Sequence, residues 1–266
     1  MATFSVVSNI GAANATANLA TSNLGLQKAI VRLSSGLRIN QSGDDAAGLA
    51  VANSFRSAQA VLTQGVRNAN DGLSTLQIKD GALNNISQLI DRLSTLATQS
   101  ASSSSGVDRT AINSEFQSVL AEINREANVA GLTASQGFSV FVSNNGANGT
   151  VGGTIAAADT TTLGINALTV DTAAHAATAV STLATAITTL GTTQASVGTL
   201  ENRLSYAISL AQSQIVNNRA AESRIRDANV AEESSNLTRF SILNQSGIAA
   251  LAQANQQSAA VLALLR

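Results

Sequence analysis

The chain has 266 residues, a formal net charge of -1 and no cysteine, proline or tryptophan; 12% of its residues are charged and 3% are aromatic. That length supports one large or two modest domains with a core that needs no covalent staple. The missing cysteines exclude disulfides and thiolate chemistry, the single His175 excludes His-dependent triads and HExxH zinc sites, and the near-neutral charge gives no bulk attraction for nucleic acid or anionic lipid.

Without proline, the commonest helix breaker, a chain rich in Ala, Leu, Gln and Ser is expected to run in long helices. Charge is distributed unevenly along it. No Asp, Glu, Lys or Arg occurs in residues 1–27, and none occurs in residues 241–265. A solvated helix ordinarily carries charge on its outer face, so both ends are expected to be covered by a partner. The N-terminal stretch has no basic segment ahead of an apolar block, since Phe4, Val6, Val7 and Ile10 are soon followed by Asn14, Asn18 and Asn23. A cleavable Sec signal is therefore not expected. No window approaches the roughly 18 uninterrupted apolar residues of a spanning helix.

In chain order, Leu19, Leu26, Ile30, Leu33 and Leu37 form the seam of a coiled-coil-like first helix. In QSGDDAAGL, from Gln41 to Leu49, Ser42 and Asp45 have capping-box spacing, and a second helix is expected to start there. Its seam runs through Leu62, Val66, Ala69, Leu73, Leu76, Leu83, Ile86, Ile90, Leu93 and Ala97, with Gly65, Gly72 and Gly81 as weak points. SASSSSG, from Ser100 to Gly106, is read as a loop. Asp108 then opens a third helix with Ile112, Phe116, Val119 and Ile123 on one side, which makes a helical hairpin.

From about Gly131 the texture changes. Phe138, Val140 and Val142 alternate, and NNGANG precedes Val151 to Ile155, which predicts a small β element. Further extended pieces are expected near Leu163 to Ile165 and Leu168 to Val170, and His175 is read as an exposed linker residue. Helical spacing resumes from Val180 to Ile215, in a helix able to pack back on the second. The final stretch carries Leu237, Phe240, Leu243, Ile248, Leu251, Val261, Leu262 and Leu265, interleaved with small residues such as Gly247, Ala250 and Ala254. Arg56, Arg67, Lys79, Arg92, Glu201, Arg203, Glu222 and Arg224 are read as a solvated polar surface.

No phosphate-cradling glycine motif is present, and the adjacent pairs Asp44–Asp45 and Glu232–Glu233 suit helix starts better than acid/base chemistry. The chain is thus expected to be no enzyme and to bind no cofactor and no metal. The architecture expected is mainly α: a long antiparallel helical bundle or coiled coil formed by the N- and C-terminal segments, with a small β-hairpin in the middle.

The stretch IVRLSSGLRINQSGDDAAGLAVANSFRSAQAVLTQGVRNANDGLSTLQIKDGALNNI, from Ile30 to Ile86, closely resembles the N-terminal signature of bacterial flagellins. LENRLSYAI from Leu200, SRIRDANVAEESSNLTRFSILNQSGIAALAQANQ from Ser223 and the final VLALLR resemble their C-terminal signature. The resemblance implies a short, thin-filament member that polymerises for swimming motility. Residues 1–43 and 226–266 would form an inner helical domain lining the filament channel. Residues 44–225 would form an outer helical bundle that includes a variable β-containing segment, 131–175. Self-assembly is assigned to Leu26, Ile30, Leu33, Leu37, Leu237, Phe240, Leu243, Leu251, Leu262 and Leu265.

The same resemblance implies type III export and an extracellular location. Its implied partners are further copies of the chain, an export chaperone at the C-terminal helix, and the junction and cap proteins of the flagellum. It also places a possible contact with a Toll-like immune receptor at Arg92, Leu96 and Glu115. Neither nucleic-acid binding nor membrane insertion is expected. The competing readings are a hook-filament junction protein and a secreted amphipathic helical protein that acts on membranes; scarce Lys and Arg argue against the latter.

Overall fold

Long runs of helix-forming residues without proline give five helices in the computed structural model, which describes residues 8–103 and 107–264, with side chains as far as Gln256. They are α1 (Ile10–Ser35), α2 (Ala46–Ala101), α3 (Arg109–Val129), α4 (Ala173–Arg226) and α5 (Val230–Leu264). One antiparallel hairpin, β1 (Gln136–Phe141) with β2 (Thr150–Ile155), lies between α3 and α4. The fold is therefore mainly α with a small β element. The chain divides into two compact units, residues 58–217 and residues 1–57 with 218–266.

Within residues 58–217, one apolar cluster joins α2 (Leu76, Leu83, Ile86, Ile90, Leu93), α3 (Phe116, Ile123) and α4 (Leu183, Leu190, Leu200, Leu204). The threes-and-fours spacing of these residues is what places them on one stripe of each helix. α3 runs back along α2 and is tied to it by Asn85 Nδ2 donating to Glu126 Oε1 at 2.9 Å. Asp108 caps α3 by accepting from Thr110 N and Ala111 N. The glycines of α2, which read as weak points, have a packing reason at two places. A Cβ on Gly65 would lie 1.7 Å from the carbonyl oxygen of Val142, and one on Gly72 would lie 2.7 Å from Val140 Cγ2. The hairpin can rest on α2 only because these side chains are absent. On its other strand, Gly152 O accepts from Arg203 Nη1 of α4 at 2.8 Å.

Several expectations are corrected here. The segment near 163–165 is a turn, in which Leu163 N donates to Asp159 O and Ile165 N to Thr160 O, and 168–170 is irregular chain that joins no strand. Their apolar side chains Leu163, Ile165 and Val170 are nonetheless buried. Polar residues of α3 hold the segment, as Val170 N donates to Asn113 Oδ1, Gln117 Nε2 to Leu168 O, and Thr160 N to Asn124 Oδ1. Ser100 belongs to the last turn of α2, where it is buried and donates to Val170 O. His175 is exposed but sits in the first turn of α4, with Nδ1 2.7 Å from Asp171 Oδ1.

Three charged residues read as solvated are not: Lys79, Glu201 and Glu222, the last half-buried beside Arg226. Lys79 is only 7% exposed, and its ammonium donates to Ala130 O and Gly131 O at 3.1 Å each. It caps the C-terminal end of α3, where Gly131 takes a left-handed φ of 64° and Leu132 N closes on Ala127 O. Burial lowers the Lys79 pKa below the ordinary value. Glu201 is half-buried, and its Oε1 is enclosed without a hydrogen-bond partner. Burial first, and the Asp80 charge second, raise its pKa above the ordinary 4.5.

Residues 1–57 and 218–266 form the second unit, in which α1 and α5 pair lengthwise and antiparallel. Asn9 Nδ2 donates to Ala254 O at one end, and Arg32 Nη1 donates to Glu233 Oε1 at the other. The expected capping box gives way to two separate devices. Asp45 is itself the cap of α2, with Oδ1 accepting from Gly48 N at 2.8 Å. Asp44 Oδ2 instead accepts from Asn40 N and Gln41 N in the preceding turn.

Two outcomes follow for the first unit. Gly65→Ala is expected to destabilise it by about 3 kcal/mol, because backbone must move, whereas Gly81→Ala, with nothing within 4 Å of the added Cβ, is expected to stabilise it by about 0.5–1 kcal/mol. Urea unfolding of the purified chain checks both. For Glu201 the folded pKa is raised, so the folded state holds the proton more tightly and stability increases as pH falls through that value toward 4.5. Glu201→Gln should raise the unfolding midpoint at pH 7 and flatten its change between neutral and mildly acid pH; an unchanged profile would refute this.

Candidate self-association surface

The connections α1–α2 and α4–α5 lie side by side and are pinned mainly by backbone. Gly36, with φ 72°, ends α1 by donating to Arg32 O. Its own carbonyl accepts from Ala228 N at 2.9 Å, Arg38 N donates to Arg226 O at 2.7 Å, and Leu37 bridges Asp227. Arg32 completes this clasp with side-chain charge, reaching Glu233 at 3.1 Å and Asp44 at 3.9 Å. Two backbone N–H groups, with the Arg32 and Lys28 charges adding less, lower the Asp44 pKa below its ordinary value.

Beyond the clasp, small residues set how closely the two helices approach. A Cβ on Gly25 would fall 2.5 Å from the Phe240 ring, and one on Gly247 would fall 3.2 Å from Leu19 Cδ1. Asn244 donates to Asn23 across the pair. Ala29 is buried in this seam. Leu26, Leu33, Leu37, Leu237, Phe240 and Leu251 are half-buried, facing the seam or its margin. Ile30 and Leu243 are about half exposed. The side chain of Leu262, all of Leu265, and Met1, Phe4, Val6 and Val7 lie outside the described residues.

The structure adds apolar side chains that the seam reading passed over, Ile10, Leu24, Val31, Val230 and Ile242, and with Ile248 these are exposed on α1 and α5. Leu24 and Val31 repeat at seven residues, as Leu26 and Leu33 do, and that doubled heptad was the available signal for a second apolar face. Covering each such side chain is worth roughly 1–2 kcal/mol.

Arg92 and Glu115 form an ion pair across α2 and α3, with Nε donating to Oε1 at 3.0 Å. Both are about half exposed, while Leu96 is 2% exposed and packs in the core. Among the described residues no group of three or more His, Asp or Glu side chains could hold a metal. No described helix is long and apolar enough to cross a membrane.

Replacing Arg32 with Met would leave the buried Glu233 and half-buried Asp44 carboxylates without their cation. The expected cost is about 1–3 kcal/mol, between the values for exposed and buried pairs, seen as faster hydrogen exchange in α1 and α5. Adding Glu233→Gln should recover part of that protection, and no recovery would show that Arg32 acts otherwise.

Comparison with known proteins gives a consistent result. Residues 6–146 match the bacterial flagellin N-terminal helical region, and residues 180–265 match the bacterial flagellin C-terminal helical region. Flagellin of Halalkalibacterium halodurans is 36% identical over 97% of this chain and 98% of its own length. The flagellar filament 33 kDa core protein of Treponema phagedenis is 37% identical at the same coverage. Flagellin of Bacillus subtilis is 33% identical over 97% and 98%. The crystal structure of Bacillus cereus flagellin aligns with a TM-score of 0.48 at 28% identity, over 59% of this chain and 94% of that one. With both terminal regions matched in order and relatives alike over almost their whole length, this chain belongs to the bacterial flagellins, the non-enzymatic structural subunits of the extracellular flagellar filament.

Proposed function

We propose that the subunit polymerises by packing the outward apolar faces of α1 and α5 against the same helices of neighbouring copies. The observation that carries this reading is the exposure of Ile10, Leu24, Ile30, Val31, Ile242, Leu243 and Ile248 on helices whose outer ends carry no charge. Isolated exposed apolar residues need no explanation, but a recurring set on two paired helices does. In this reading residues 1–43 and 226–266 make the inner domain that lines the channel, and residues 44–225 make the outer bundle.

Export through the flagellar type III apparatus fits the same surface. The apolar C-terminal helix has to be kept from premature association, which supports a chaperone that holds α5, and the same ends meet the junction and cap proteins at the filament's extremities. An immune-receptor contact at Arg92, Leu96 and Glu115 is supported only through the exposed Arg92–Glu115 pair, because Leu96 offers its side chain to the core.

The test uses Ile30→Asp and Leu243→Asp, which place charge on outward positions and leave the Gly25–Phe240 seam intact. Each is expected to abolish seeded polymerisation in electron micrographs while circular dichroism and the urea midpoint stay close to the parent's, since a carboxylate buried between copies costs several-fold more than one in water. Normal filaments from both variants would overturn the surface assignment.

A further inference from the structure

The unit formed by residues 1–57 and 218–266 contains six described carboxylates, and five of them have partners. Asp44 accepts from backbone and meets Arg32; Asp45 accepts from Gly48 N; Glu222 meets Arg226 at 3.8 Å; Asp227 accepts from Ser223 Oγ; and Glu233 meets Arg32. Glu232 alone makes no hydrogen bond or ion pair among the described residues. It is exposed in the first turn of α5, beside the exposed Val230. The segment thus presents an apolar side chain and a free carboxylate two residues apart.

On α1 there is a surface of the opposite kind. A groove of about 210 Å³ is lined by Leu24, Lys28, Val31, Arg32, Gln41 and Asp44, among others. Arg32 is shared by Asp44 at 3.9 Å and Glu233 at 3.1 Å. Lys28, the first charged residue in the chain, is exposed and forms no hydrogen bond or ion pair, its charge reaching Asp44 only through space. Leu24 and Val31 flank it and are themselves open to solvent. The groove therefore offers one cation without a side-chain partner, between two apolar walls.

Resting on the assembly reading above, the geometry points to a specific contact between copies: Glu232 and Val230 of one subunit seat in the Leu24–Lys28–Val31 groove of the next, pairing the Glu232 carboxylate with the Lys28 ammonium. The two patches are complementary in charge and in apolar character, and they are different patches. A contact of this head-to-tail type does not close on itself, as a two-fold contact would, and propagates into a helical polymer when its rotation leaves an open path. In a subunit whose terminal helices otherwise carry only the paired Arg32 and Glu233 and the exposed Arg239, one ion pair also selects among the registers that an apolar stripe alone would accept.

A simpler account of Glu232 is that its charge favours the positive N-terminal end of α5. The two accounts diverge under charge reversal. In the full chain, with sonicated seeds at about 0.1 M ionic strength, Lys28→Glu and Glu232→Lys are each expected to raise the critical concentration for polymerisation about tenfold. The double variant should return to within about threefold of the parent, because the pair is restored with its direction reversed. Single variants that polymerise like the parent, or a double variant no better than either single one, overturn the pairing. The second of those results is what the helix-end account requires. If Ile30→Asp blocks assembly while Lys28→Glu does not, the pairing fails alone; if neither changes polymerisation, the assembly surface fails with it.

Discussion

The clasp between residues 36–39 and 226–228 is the constraint on which the terminal helices depend. An antiparallel pair built from Leu, Ala, Ser and Asn has little in its side chains to prevent sliding, because adjacent heptads look alike. Backbone hydrogen bonds from Arg38 N to Arg226 O and from Ala228 N to Gly36 O hold both chain reversals at one place. With those reversals fixed, Gly25 can only face Phe240, and Gly247 can only face Leu19. A shift of one turn would drive the Phe240 ring against a larger side chain. Register, and with it the set of side chains turned outward, is determined from this end of the pair.

Glycine has two distinct uses in these helices, which its helix propensity alone does not separate. At Gly65 and Gly72 of α2, and at Gly25 of the terminal pair, the missing side chain admits another part of the chain at a distance no Cβ would tolerate, and at Gly247 it admits a tight one. The roughly 1 kcal/mol lost to backbone freedom at each is offset by that contact. At Gly81, Gly191 and Gly198 nothing lies within 4 Å of the missing Cβ. Within one subunit those three positions only weaken their helices, and nothing in the structure explains them.

Much of the fold was legible in the sequence because it rests on periodicity. The stripe from Leu62 to Ala97, the cap at Asp108 and the alternation from Phe138 to Val142 each follow from local spacing, and each element formed where the spacing placed it. What escaped depended on distant partners. Lys79 is indistinguishable from a surface lysine until the end of α3, some fifty residues on, presents two carbonyls to it. Asn113, Gln117 and Asn124 carry no local sign of a partner, yet they supply hydrogen bonds to segment 156–172. Part of the seam of the terminal helices was legible in the same way as α2, but Ile30, read as a seam residue, and Leu243 turn outward instead. The outward stripe was not, because a single apolar face is all that a two-helix pair demands; in the proposed assembly the second face answers to other copies.

Under the proposed assembly, that second face accounts for the charge pattern better than the fold alone does. A monomer exposing Leu24, Val31, Ile242 and Ile248 risks nonspecific association, yet these side chains are separated by Ala, Ser, Asn and Gln, so no one contact is strong. Polymerisation can still be firm, because every copy in a lattice repeats the same weak contacts with several neighbours at once. Interspersed charges would defeat this arrangement, since each would have to be desolvated in every subunit. Charge is tolerated where it is already compensated, as at Arg32 and Glu233, or where it can be compensated by another copy. An uncharged stripe supplies strength without direction, and direction then has to come from the few charged groups that remain at its margin.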